Sequence, residues 1–396
     1  MTRPLLSLTP PALGRLPEVA AALAANAAEH DRDATFPYEG VAAVHEAGLL
    51  TATVGERFGG PGGGLADTVR ILQALGGGDP AVALVTAMTL FTHAAQARSG
   101  GWPLDAYDLL LHEASTRPVL VNALRVEPEL GSPVRGGLPV TVARRRDDHW
   151  ELTGHKIFST GAEGLGWMLV WARTDEPAPR VGSFLVRAGG RGLTVLPTWN
   201  HVGLRASRSD DVLLDRVRVP LDHVAGLAEP GEGGGRDVVG GAWNSLGLTA
   251  LYLGVARAAQ HWLTGFLHER VPTALGAPLA TLPRFQTAVG EIDIALSGAE
   301  RLIRALAEDV DAGDPAAAEQ AGGAKVLGTR AAIGAVEQAL ALTGNHGLTY
   351  DNPLQRHHRD VLCSRVHTPQ DDMSLLAAGR AALARRSSLP PLTESN

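Results

Sequence analysis

The chain has 396 residues, 45% hydrophobic and 19% charged, and a net charge of −7 from 35 basic and 42 acidic side chains. That is ordinary globular composition for two or three domains, and the acidic balance excludes a general electrostatic footprint for nucleic acid. A single cysteine, Cys363, excludes an internal disulfide and sets the expectation of a reducing, cytoplasmic setting in which it is a buried structural residue.

No apolar run approaches the roughly 20 residues of a membrane-spanning helix. Residues 17–30 could pass for a signal peptide, but Glu18, Asn26 and the lack of bulky apolar residues favour an amphipathic helix. Residues 12–30 and 36–50 read as two helices, followed by a glycine-dense loop, GERFGGPGGG (55–64). That loop lacks the Lys-Ser/Thr ending of a P-loop. Helices are predicted over 65–78 and 79–100, the second nearly all apolar and therefore buried, with His93 upon it.

From about 119 to 225 the period changes to two. Trp150, Leu152, Met168 and Val170 alternate with smaller or polar residues between glycines, which predicts several short strands. A glycine-rich linker is expected at 229–242, then long helices at 243–268, 285–310 and 316–343, separated by a proline-rich break at 270–283. A turn-rich loop, 344–353, precedes last helices at 354–365 and 371–386, so the final third reads as a four-helix bundle with a frayed tail at 387–396.

Four segments in this order carry a resemblance. GERFGGPGGG looks like a Pro-Glu-x-Tyr/Phe-Gly-Gly-x-Gly loop, RVEPELGSP (125–133) is similar to Thr-Glu-Pro-x-Ala-Gly-Ser-Asp, and GHKIFSTGA (154–162) matches Gly-x-Lys-x-Trp-Ile-Thr-Asn-Gly. GNHGLTYDNPLQRHHRD (344–360) corresponds to Gly-Gly-x-Gly, Tyr-Pro and Arg-Asp. Together they resemble the acyl-CoA dehydrogenase family of flavoproteins over nearly the whole chain. The resemblance implies an α+β multidomain fold: an α-helical domain (1–112), a β-barrel-like domain holding the flavin site (113–226) and a C-terminal four-helix bundle (227–396). It also implies a homotetramer or homodimer.

By match to the family, Phe158 is the wall of the isoalloxazine, Thr160 bonds near N5 with Ser159 beside it, and the backbone of Arg125 and Val126 meets the pyrimidine edge. Val126 stands where the family has a threonine. Ser132 matches the serine touching the CoA arm, and Gly344, Asn345 and Gly347 approach the flavin pyrophosphate of a neighbouring subunit. FAD is the implied cofactor with FMN as the other possibility, because the family's Arg-x-x-x-Phe segment is replaced by the proline-rich 270–283 stretch, where Arg270 or Arg284 would have to substitute. No metal ligands are among these residues.

The pattern breaks at the base. Dehydrogenation needs a carboxylate for the α-proton while hydride goes to flavin N5, yet the family's two glutamate positions fall on Thr368 and Asn244. Asp371 and Asp372 are the nearest acids, and an Asp pair at a helix start also serves the helix dipole. The first reading is an acyl-CoA dehydrogenase-type oxidoreductase acting on the CH–CH bond of an acyl-CoA, with an electron-transfer flavoprotein as partner.

The alternative comes from the same departures. A branch of the superfamily resembling dibenzothiophene monooxygenase lacks the glutamate and oxygenates substrates with reduced flavin supplied by a reductase. It carries His-x-Pro where this chain has His367-Thr368-Pro369, which would make His367 the proton-handling residue. Another histidine of that branch falls near Thr89, one turn before His93; His93 and Asn244 are accordingly candidates for substrate contact. The third reading is a non-catalytic flavin-binding scaffold, against which the retained Phe158, Thr160 and Gly344 argue.

Overall fold

A computed structural model describes residues 8–130, 137–231 and 237–387. The first third is helical: α1 (Leu16–Asp33), α2 (Tyr38–Glu46), α3 (Leu65–Gly78), α4 (Pro80–Ser99) and α5 (Leu104–Ala114). Helix α1 buries Val19, Leu23 and Ala27, spaced four apart on one face, and stops where Ala34 turns left-handed at φ 52°. Helix α4 starts at Asp79, whose carboxylate accepts from the N–H groups of Ala81 and Val82, with Pro80 as its first residue. Helix α5 lies outside the predicted helices, although Tyr107, Leu110, Leu111 and Ala114 bury one of its faces.

The middle third is one sheet of eight strands: β1 (Leu120–Leu124), β2 (Val142–Arg145), β3 (His149–Lys156), β4 (Leu165–Thr174), β5 (Val181–Arg187), β6 (Leu193–Leu196), β7 (Asp211–Pro220) and β8 (Val224–Ala228). Their order is β6-β7-β3-β2-β4-β5-β8, and β1 also pairs with β4, in parallel. Strands β1 and β2 share one edge of β4 end to end, β1 at its start and β2 at Arg173 and Thr174. The period-two reading holds: Trp150 and Leu152 are buried while Glu151 and Thr153 are not.

The last third holds α6 (Val238–Glu269), α7 (Pro283–Asp311), α8 (Pro315–Thr343), α9 (Leu354–Leu362) and α10 (Asp371–Ser387). Helix α6 starts earlier than the expected linker allowed: the Asp237 carboxylate accepts from Gly240 N–H at 2.7 Å, and this cap carries the helix through two glycines. By length and composition α6 is apolar enough to cross a membrane, but 72% of that window is buried inside the protein. It is the central core helix, packed on α3, α4, α7, α8 and α9.

Two glycines permit its closest crossing. A Cβ at Gly76 of α3 would lie 2.2 Å from the Leu251 carbonyl oxygen, and one at Gly254 of α6 would lie 2.1 Å from the Gln73 carbonyl oxygen. Any side chain at either position would force these backbones apart.

Candidate functional site

Strand β3 ends at Lys156, and the chain then makes a tight turn. Its geometry is set by two neighbours. On one side Ile157 N–H donates to the Val126 carbonyl at 3.0 Å; on the other Ser159, Gly161 and Ala162 N–H groups donate to the carbonyls of Asp210, Ser207 and Arg208. Arg125 and Val126 are therefore brought beside Phe158, Ser159 and Thr160.

A buried ion pair holds this arrangement from beneath. Glu127 and Lys156 are both fully buried, with Nζ 2.6 Å from Oε1 and the same ammonium 2.6 Å from the Trp171 carbonyl. The Val140 and Thr141 N–H groups and the Thr141 hydroxyl also donate to the carboxylate. Burial pushes the Glu127 carboxyl up, but its bonds from Lys156 and Thr141 outweigh that and hold it below its ordinary value. Burial dominates for Lys156, whose ammonium is lowered against the pull of Glu127.

Phe158 sits at φ 54° and is 53% exposed, an unusual conformation and an unusual exposure for a phenylalanine. Its edge meets Trp199 and His201, which stack on each other at 3.6 Å. Trp199 is fixed by donating through Nε1 to the Leu204 carbonyl at 3.0 Å, and its N–H donates to Asp210. Ser159 Oγ is buried without a hydrogen-bond partner among the described residues. Thr160 Oγ1 accepts from Ser209 at 3.3 Å, and its carbonyl accepts from Asn122 at 3.0 Å. An open aromatic face beside an unpartnered buried hydroxyl and a positioned threonine is the donor set that a planar, hydrogen-bonding ring system requires, so these residues fit a flavin.

Asn244, His367 and the neighbouring turn form a second group. The Asn244 amide on α6 donates to the Thr368 carbonyl. The His367 ring lies 5.8 Å from that of Tyr252, and both His367 Nε2 and Tyr252 Oη are buried without a partner among the described residues. Burial, with the Lys325 charge adding to it, lowers His367 to about 4, so its imidazole is neutral at physiological pH. Helix α4 packs against the turn, where Val85 meets Gly161, and against α6, where Phe91 meets Gly247.

The remaining candidates lie elsewhere. Asp371 is paired with Arg330 at 3.1 Å, and Asp372 is exposed in the first turn of α10. His93 is sealed, 1% exposed, in a cluster with Trp102 and Tyr107; its Nδ1 is 2.9 Å from the Tyr107 hydroxyl, and burial lowers it to about 4. Gly344, at φ 55°, and exposed Asn345 lie past the end of α8, where Gly347 is buried against Thr343. Ser132 lies outside the described residues. Burial pushes the Cys363 thiol up to about 12, which makes it a poor nucleophile.

Arg359 and Asp360 act as a structural clamp. Arg359 pairs with Asp31 of α1 and donates to the Val202 carbonyl at 2.7 Å, while Asp360 accepts from Leu204 N–H at 2.7 Å. They tie the last third of the chain to the loop carrying Trp199 and His201.

Family models match in three consecutive pieces: acyl-CoA dehydrogenase N-terminal domain over residues 18–100, middle domain over 125–217 and C-terminal domain over 246–371. The chain is 30% identical over 348 residues to the putative acyl-CoA dehydrogenase YdbM of Bacillus subtilis, covering 87% of this chain and 90% of that protein. It is 31% identical over 389 residues to the amino sugar nitrososynthase DnmZ of Streptomyces peucetius, covering 91% of each. Among solved structures, KijD3 in complex with FMN and dTDP-3-amino-2,3,6-trideoxy-4-keto-3-methyl-D-glucose superimposes with a TM-score of 0.81 at 27% identity, over 94% of this chain and 93% of that one.

Proposed function

The chain belongs to the acyl-CoA dehydrogenase family of flavin-dependent oxidoreductases, and within that family we propose that it is a reduced-flavin-dependent monooxygenase acting on an amine-bearing small molecule. One observation carries the reading. The two positions at which the family places its catalytic glutamate are Asn244 and Thr368, bonded to each other, and neither can take an α-proton near neutral pH. Asp371, the acid next along the chain from Thr368, is engaged by Arg330.

Reduced flavin, when bound, supplies the two electrons that divide dioxygen between the product and water. Phe158 would wall the flavin ring, while Ser159 and Thr160, the latter steadied by Ser209 and Asn122, would hold its polar edge. Neutral His367 takes the proton that the substrate gives up as its heteroatom gains oxygen. The likeness to DnmZ, named an amino sugar nitrososynthase, and to KijD3, solved with an amino sugar nucleotide, supports the amine as substrate class. FMN bound to KijD3, together with the proline-rich 270–283 stretch, favours FMN over FAD. A flavin reductase is then the partner.

The test is oxygenation of a panel of primary amines by the protein with a flavin reductase, NADH and air. Product formation with consumption of dioxygen supports the reading. Bleaching of bound flavin by acyl-CoAs without oxygen would replace it with the second reading, an FAD-dependent acyl-CoA dehydrogenase passing electrons to an electron-transfer flavoprotein. The likeness to YdbM favours that reading.

A further inference from the structure

Lys325 of α8 is 1% exposed, yet among the described residues no carboxylate pairs with it. Its ammonium donates instead to main-chain carbonyls, that of Pro369 at 2.9 Å and that of Ser364 at 3.4 Å. These two carbonyls flank His367, three residues before it and two after. A buried charge without an ionic partner is costly, and the turn it holds has no sequence regularity of its own between the short helical turn Cys363–Arg365 and α10.

We propose that Lys325 is the positioning residue for His367: its ammonium pins the turn 364–369 at both ends, sets its positive charge beside the imidazole and keeps that ring fixed against Tyr252. The proposal rests on the reading of His367 as the proton-handling group. Its physical basis is separate from that reading, because the two carbonyl bonds and the buried charge are properties of the fold.

Every element packed here contributes a group. Tyr252 comes from α6, with its hydroxyl pushed well above its ordinary value by burial and by Cys363 and Asp360. Lys325 comes from α8, lowered by burial and partly restored by Asp371 of α10, which Arg330 holds. Only Lys325 adds to burial in disfavouring His367 protonation.

Two variants separate pinning from charge. Lys325→Met removes both; Lys325→Gln keeps donors for a carbonyl and removes the charge. Two readouts are made on the full chain, the rate of reduced-flavin-dependent oxygenation and the proton titration of His367 followed by NMR with histidine-selective labelling, assigned by His367→Gln. In both variants the His367 titration should move upward by about 1 pH unit. Lys325→Met should also lose about tenfold or more in rate, and Lys325→Gln should recover part of that loss. An unmoved titration in either folded variant overturns the proposal, as does a wild-type rate in Lys325→Met. Should Lys325→Met fail to fold, the titration in Lys325→Gln decides alone. A shifted titration together with full activity in His367→Gln would uphold the coupling while removing His367 from the proposed reaction.

Discussion

The side-chain amide of Asn244 donates to the main-chain carbonyl of Thr368. One side chain of α6 thereby holds the turn before α10, at the place where a dehydrogenase would present a base. Asn244→Ala should cost about 1 kcal/mol of stability, the worth of one hydrogen bond. Asn244→Asp should cost more, because an ionised carboxylate facing a carbonyl oxygen has nothing to donate. Thermal unfolding should rank wild type above Ala and Ala above Asp. An aspartate variant as stable as wild type would show that the amide is not the donor.

Phe158 combines a left-handed backbone with an exposed ring. Strain of this kind costs about 1 kcal/mol or more and persists where surrounding structure enforces it. Here the enforcing bonds are those from the turn to Val126, Ser207 and Asp210. Phe158→Gly should leave the unfolding midpoint of the flavin-free protein unchanged or raised, because glycine takes this conformation freely. The same change should weaken flavin binding about tenfold or more, since the aromatic wall is gone. Loss of stability without loss of flavin affinity would assign the ring to packing and not to the cofactor.

Beneath that turn, the buried pair Glu127–Lys156 is an all-or-none device. Glu127→Gln would leave an ammonium buried with the Trp171 carbonyl as its principal partner and should cost about 3–5 kcal/mol. Adding Lys156→Met removes the stranded charge, so the double variant should be more stable than the single one. Denaturant unfolding of the four proteins measures the coupling, and additive effects would exclude it.

Much of the architecture was legible in the sequence because its causes are local. The alternation of Trp150 and Leu152 with polar neighbours marks β3, and Asp79-Pro80 marks the start of α4. Helix α5 was missed although Tyr107, Leu110 and Leu111 carry a helical spacing after Pro103. The start of α6 was missed because Gly240 and Gly241 read as linker, whereas the Asp237 cap decides otherwise. In the site, the Gly-x-Lys-x-Phe turn announced Phe158 and Thr160. Trp199, His201, Ser209 and Asn122 carried no such announcement, since they reach the turn from β1 and from the loop before β7. Lys325 was likewise invisible: a lysine in an alanine-rich helix reads as solvated until its burial is known.

Acid sensitivity follows from buried groups whose signs differ, chiefly three histidines and Asp360. Burial lowers His93 and His367 to about 4 and His357 to about 3, so each is neutral in the folded chain while an unfolded histidine titrates near 6.5. Each therefore contributes stability that is complete above about pH 6.5 and is lost as pH falls toward about 4, or about 3 for His357. Asp360 opposes them. Burial raises its carboxyl to about 7, so it contributes stability at low pH that is lost as pH rises from about 4 through 7. Three histidines against Asp360, with Asp79 also raised by burial and opposing them in part, leave the unfolded state richer by at most about two protons in mid-window, so stability should climb with pH between about 4.5 and 6, by roughly 1–3 kcal/mol per unit. Denaturant unfolding across this range measures the slope. Asp360→Asn, whose amide oxygen can still accept from Leu204 N–H, should steepen it by removing the opposing proton. His357→Phe should flatten it. A slope that neither substitution changes would place the titrating protons on other groups.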